Sequence, residues 1–157
     1  MGGSSGGPRS IGDVKGLIER AKAELRGKRN VFISFAYEDL NEVNLLRGQA
    51  KNENSPLEFN DWSVSEPYDS ERASYIKQKI SERIAQSSVT VVYLSPHAAA
   101  SKWVEWEINQ SLAKGKRVFG VYSGQVKPTT VFPAISKNGI SCVSWSELAT
   151  TIANLNL

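Results

Sequence analysis

Cysteine and histidine are nearly absent from this chain. There is one of each, Cys142 and His97, and neither sits in a recognisable motif. A lone thiol cannot close an internal disulfide and cannot hold a metal by itself, so no metal site is expected. Cys142 reads as a buried thiol on a strand and His97 as a loop residue, rather than as a catalytic pair. Long apolar runs are missing too: none approaches the roughly 18 residues of a membrane span. The opening residues Met1-Gly2-Gly3-Ser4-Ser5 have no apolar core of the kind a secretory signal carries. The sequon Asn109-Gln110-Ser111 therefore carries no weight, and the expected compartment is cytoplasmic, without membrane contact. A dominant charge sign is also lacking. Lys and Arg number 19 against 16 Asp and Glu, for a net +3. The basic residues are scattered, with short clusters only at Lys28-Arg29 and around Lys114 to Arg117, so no nucleic-acid partner is expected. Neither a Gly-x-x-x-x-Gly-Lys loop nor a Gly-x-Gly-x-x-Gly run is present, which excludes the common nucleotide-phosphate cradles.

What is present suits one folded domain. The 157 residues are 40% hydrophobic and 22% charged, close to an average globular chain. Residues 1–9 are Gly/Ser-rich and read as a flexible leader or an expression remnant, outside the fold. Residues 10–28 read as an amphipathic helix, with Val14, Leu17, Ile18, Ala21 and Leu25 on one stripe and Gly27 as its stop. That stripe must be covered, either by the chain's own domain or by another subunit. Strand and helix patterns then alternate over 29–157. Strands are expected at 31–35, 57–62, 89–95, 117–122 and 140–145. Helices are expected at 39–50, capped by Asp39 with Glu42 as the reciprocal residue, at 71–86 along Ala73, Ile76, Ile80 and Ile84, at 101–114 up to Gly115, and from a Ser146 cap to the end. The segment 127–138 reads as irregular. Apolar strands alternating with helices predict an α/β domain of three layers, and five such strands point to the flavodoxin-like parallel order 2-1-3-4-5. Ligands in such sheets bind beyond the carboxyl ends of the strands, near the switch in strand order. The segments 35–39, 62–69 and 95–107 lie there.

Two occupants of this architecture fail on their residues. A phosphoreceiver needs an aspartate ending the third strand, where this chain has Tyr93-Leu94-Ser95-Pro96. A flavodoxin needs a small-residue phosphate loop after the first strand, where this chain has Ala36-Tyr37-Glu38-Asp39, acidic and aromatic. A third occupant fits. Val31-Phe32-Ile33-Ser34-Phe35 followed by Asp39 resembles the first box of TIR domains, and Ser101-Lys102-Trp103-Val104-Glu105-Trp106-Glu107-Ile108 is similar to their Ser-x-Trp-x-x-x-Glu-Leu segment. The wording Phe-Ile-Ser-Phe with Trp-Val-x-Trp-Glu-Ile is especially similar to the TIR-like proteins of bacterial Thoeris-type antiphage systems. The resemblance covers about residues 29–157. It departs from the family in two places: the Arg-Asp-x-x-Pro-Gly loop after the second strand is replaced by residues 62–69, and the N-terminal helix is extra.

The resemblance implies an NAD-cleaving enzyme with NAD as substrate and no further cofactor. It also implies self-association into a homo-oligomer and, where the product is a cyclic ADP-ribose isomer, a downstream effector that responds to it. The residues allow such chemistry. Nicotinamide leaves as a neutral ring, so no general acid is needed, in contrast to the two-carboxylate glycosidases. One carboxylate beside the ribose can stabilise the oxocarbenium-like transition state. Glu107 fits that role, and Trp103, four residues earlier on the same helix face, can wall the ribose. Phe35, Tyr37 or Trp62 can stack on a base, with Ala36 and Asp39 in the same substrate-binding loop, although Asp39 serves first as a cap. Glu38 and Glu66 have no special claim, and Trp106 reads as core or subunit contact. The alternative function is a non-catalytic interaction module that self-assembles or scaffolds a partner. Trp103 and Glu107 favour the enzyme, and the missing Pro-Gly loop disfavours adaptor-type docking.

Overall fold

A computed structural model describes residues 29–61, 65–124, 128 and 132–155. The helix expected over 10–28 and the side chain of Trp62 lie outside the described residues. Five strands form one parallel sheet: β1 (Arg29–Ser34), β2 (Leu57–Asn60), β3 (Val89–Tyr93), β4 (Arg117–Tyr122) and β5 (Ser141–Ser144). Their order is β2-β1-β3-β4-β5, as the alternating pattern predicts. The helices are α1 (Leu40–Asn52), α2 (Ala73–Gln86), α3 (Pro96–Ala100), α4 (Lys102–Ala113), α5 (Pro133–Ser136) and α6 (Trp145–Ala153), and Tyr37–Asp39 makes a 3-10 turn before α1.

The alternation of side chains along a strand sorts the core into two halves. Val31 and Ile33 of β1 and Val89, Val91 and Tyr93 of β3 face α1 and α6, where they meet Val43, Leu148 and Ile152. Phe32 faces the opposite helices and packs with Ile76, Ile80 and Ile84 of α2 and with Trp103 of α4. Val92 joins Val104 and Ile108 of α4 on that same side. The three isoleucines recur every four residues, so α2 lays one continuous stripe on the sheet. Ser34 shares the α4-facing side with Phe32 by the same alternation, and Thr90 shares it with Val92.

Several boundaries differ from expectation, each for a local reason. β2 stops at Asn60 rather than 62, because its last pairing is with Phe32 and the next side chain, Asp61, turns to pair with Arg47 of α1. β3 stops at Tyr93, because Ser95 becomes the N-cap of the unforeseen helix α3, its Oγ accepting the Ala98 N–H at 2.9 Å. His97 accordingly lies on that helix and not in a loop. Asp39 does not cap α1. The 3-10 turn takes the first N–H groups, Asp39 N–H to Ala36 O and Leu40 N–H to Tyr37 O. The Asp39 carboxylate accepts from Ser95 Oγ–H and Glu42 accepts from the Tyr93 hydroxyl, so the two acids hold the cap of α3 and the end of β3 rather than the end of α1. Burial, followed by Glu42, raises the Tyr93 pKa above its usual value. The last helix starts at Trp145, with Ser144 in the capping position in place of Ser146 and its hydroxyl donating to Glu147 at 2.8 Å. Pro133 opens a single helical turn inside the stretch read as irregular. The stop at Gly115 holds. Its φ of +71° closes α4, with Gly115 N–H bonded to Leu112 O and Lys116 N–H to Ser111 O, the paired bonds of a Schellman end.

Candidate active site

A cleft of about 550 Å³ opens beyond the carboxyl ends of β1 and β3, the two strands that flank the switch in strand order. Three segments build it. Phe35, Tyr37 and Glu38 follow β1. Residues 65–68 (Ser65, Glu66, Pro67 and Tyr68) precede α2. Ala100 ends α3, and Ser101, Lys102, Trp103 and Glu107 come from the cap and first turns of α4. Of the residues expected to bind or act on a substrate, Phe35, Tyr37, Trp103 and Glu107 meet on this one wall. Ala36 and Asp39 are buried beside it, 1% and 5% exposed, and Asp39 is engaged by Ser95. Trp62 is outside the described residues.

The start of α4 is fixed by Ser101, whose Oγ accepts the Val104 N–H at 3.2 Å. From that cap the helix presents Trp103, Val104, Glu107, Ile108 and Ser111 inward, all buried. A glutamate in the middle of an inward stripe is unusual, and its surroundings are specific. Glu107 is 3% exposed, and its Oε1 accepts the Ser34 hydroxyl at 2.6 Å. Burial pushes its pKa up to about 8, with Asp61 acting in the same direction and the Ser34 hydrogen bond opposing. One turn on, Ser111 Oγ lies 2.8 Å from both Thr90 Oγ1 and the Glu107 carbonyl oxygen. Two sheet hydroxyls thus meet the one polar stretch of the helix.

Trp103 ties the cleft's far wall to α4. Its indole N–H donates to the Glu66 carbonyl at 2.8 Å, and Tyr68 packs edge-on against its ring at 5.0 Å. Lys77 of α2 sits 4.2 Å over the Tyr68 ring, and Arg72 pairs with the Glu66 carboxylate at 3.5 Å. Trp106 is half-buried against Trp103 and the α2 stripe, on the core side of the helix. Sequence reasoning gave Glu66 no special claim and did not single out Tyr68, because both lie in a segment without periodicity. It left Glu38 without a role, yet the structure puts that residue on the wall as well. The charged groups on the wall are Glu38, Glu66, Glu107 and Lys102, a predominantly acidic set. Among the described residues no group of His, Cys, Asp or Glu could hold a metal ion, and no helix is long and apolar enough to cross a membrane.

No curated protein matches the chain. The TIR domain of the Toll-related receptor TRR-2 from the lower metazoan Hydra magnipapillata superposes with a TM-score of 0.51 at 16% identity, covering 78% of this chain and 89% of that one. The Clostridium botulinum CMP N-glycosidase BcmB gives 0.47 at 11% identity, over 80% of this chain and 99% of that one. The TIR domains of the activated Roq1 resistosome give 0.45 at 19% identity, over 82% and 73%. The first of these shares the fold. The family model of the TIR-like domain of the Thoeris protein ThsB matches residues 32–128, more than half of the chain, and that span holds the β1 box from Phe32 onward and the Trp103–Glu107 helix. The protein therefore belongs to the ThsB TIR-like domain family.

Proposed function

We propose that this domain cleaves the bond between nicotinamide and ribose in NAD. The observation that carries the reading is Glu107: a carboxyl group in the middle of a buried helix face, held by a sheet hydroxyl and opening onto a cleft walled by Trp103, Phe35 and Tyr37. Buried carboxyls without an ion-pair partner are costly to a fold, so one placed at a cleft at the strand switch point is a functional candidate on physical grounds. As the C1′–N bond breaks, its electron pair passes to the ring nitrogen and nicotinamide leaves neutral. The ribosyl cation left behind is stabilised by the Glu107 carboxylate beside Trp103, whose ring walls the ribose and limits the access of water. Capture by water gives ADP-ribose, and capture by an adenine nitrogen gives a cyclic isomer. The acidic wall suits the cationic end of the substrate, and Lys102 on the same wall is a cation for its diphosphate in this reading. The biological setting we infer is cytoplasmic antiphage defence, with a partner effector reading the product.

The test is chromatography of NAD incubated with concentrated protein, beside Glu107→Gln. The wild type is expected to release nicotinamide, and the variant to lose at least about 100-fold in rate, the scale of removing one preorganised electrostatic group. Equal release from both would remove Glu107 from the reaction. No release from either, with or without lysate from phage-infected cells as trigger, would favour the scaffold alternative.

A further inference from the structure

We propose that Ser34 is a positioning residue for Glu107: its hydroxyl holds the carboxyl in one orientation and favours the ionised form that the reaction uses. This rests on the proposed cleavage reading. Ser34 is the last residue of β1, paired in register with Val92, so its backbone is fixed by the sheet. Its side chain is 1% exposed and lies between the strand and α4. The hydroxyl has a single proton, and it points to Glu107 Oε1 at 2.6 Å. Oε1 is thereby engaged by the sheet, while Glu107 also lines the cleft. A hydrogen bond donated to a carboxylate stabilises the charged form. Here it works against two influences that favour the neutral form, burial and the negative charge of Asp61. The other charged groups around the carboxyl are Glu38 and Glu66 on the cleft wall and Lys102 at the start of α4. Asp61 itself pairs with Arg47 of α1. β3 contributes Thr90 but no charge.

The fold supplies its own control. Thr90 and Ser111 make a hydroxyl contact of the same kind one helical turn away, also buried between sheet and helix, without touching the carboxyl. Ser34→Ala and Ser111→Ala each delete one buried hydroxyl from the same interface. A merely structural hydroxyl would make them alike. We expect Ser34→Ala to lower kcat about 10-fold with KM little changed, and to move the rising limb of the pH–rate profile upward by roughly half a unit to one unit. Ser111→Ala should leave that midpoint where the wild type has it. The same shift should be seen in a 13C NMR titration of the Glu107 carboxyl in the unliganded full-length protein, which does not require turnover. An unmoved Glu107 midpoint in Ser34→Ala, or an equal shift in Ser111→Ala, would overturn the proposal. Should NAD cleavage itself be absent, the NMR titration still decides whether Ser34 tunes Glu107, so the two readings fail separately. Should Ser34→Ala not fold, Ser34→Thr, which keeps the hydroxyl, is expected to retain the wild-type midpoint, and a shifted midpoint there would count against the proposal.

Discussion

Glu107 places a measurable load on the fold. An unfolded glutamate titrates near about 4.3, whereas in the folded chain its burial moves that to about 8. Between those values the folded chain holds a proton that the unfolded chain has released, so its contribution to stability falls as pH rises through the window. Glu107→Gln removes the titration and keeps an acceptor for Ser34. We expect the variant to gain on the wild type steadily as pH rises from 5 to 8, by about 1 kcal/mol per pH unit, on the order of 10 °C in Tm over that window for a domain of this size. Thermal melts across that range check it, and a difference independent of pH would show that the carboxyl stays ionised in the folded state. The signal for this residue was legible in part. The motif marked position 107, and its place among Trp103, Val104, Ile108 and Ser111 put a charge on the inward stripe. The Ser34 contact was not legible, because it joins residues 73 apart in sequence and depends on how the helix crosses the sheet. Asp39 misled for the opposite reason. It has the spacing of a cap, but its tertiary partner Ser95 outcompetes that local role.

At the level of elements, the segment before α2 is joined to α4 chiefly through Trp103, by the indole N–H on the Glu66 carbonyl and by the edge of Tyr68. Trp103→Phe keeps a ring in the wall and deletes the donor. On the proposed reading KM should rise several-fold with kcat nearly unchanged, and protease cleavage in residues 65–72 should accelerate, since the loss of one net hydrogen bond of about 1 kcal/mol loosens the tether without unfolding the core. Steady-state kinetics and limited proteolysis read the two arms; intact resistance to cleavage would show the tether to be redundant. Strands and long helices were legible because periodicity carries them: β4 falls on its expected residues, and α2 follows its isoleucines. Helix α3 was not. The strand was expected to run through Ser95, although a serine followed by proline also begins helices, as Ser95 and Pro96 do here.

For the whole molecule, the sheet order and the three layers follow from the alternation of strand and helix patterns, and the cleft lies at the switch point that this order dictates. Its far wall was legible only as the segment 62–69; which residues of that segment line the cleft was out of reach, because 65–68 carry no periodicity that assigns their side chains a side. The residues that form the cleft open to one side, and Tyr37 in its wall is 48% exposed. A cleft that exposed gains water exclusion from association, so on the proposed reading specific activity should rise with protein concentration and fall on dilution. Turnover per molecule that is constant from nanomolar to high micromolar protein would show that the single chain suffices.

The burial of Glu107 has a consequence for binding as well as for rate. Near neutral pH the empty cleft holds a proton on that carboxyl, and the proposed substrate arrives with a positive ring. Proton and ring are then rival ligands for one negative charge. Occupying the cleft should expel a proton, the heat of binding should depend on the ionisation enthalpy of the buffer, and apparent affinity should weaken by up to tenfold for each unit of acidification below about pH 8. A drop in the surrounding pH would by itself hold such a domain silent, with no inhibitor and no change of fold.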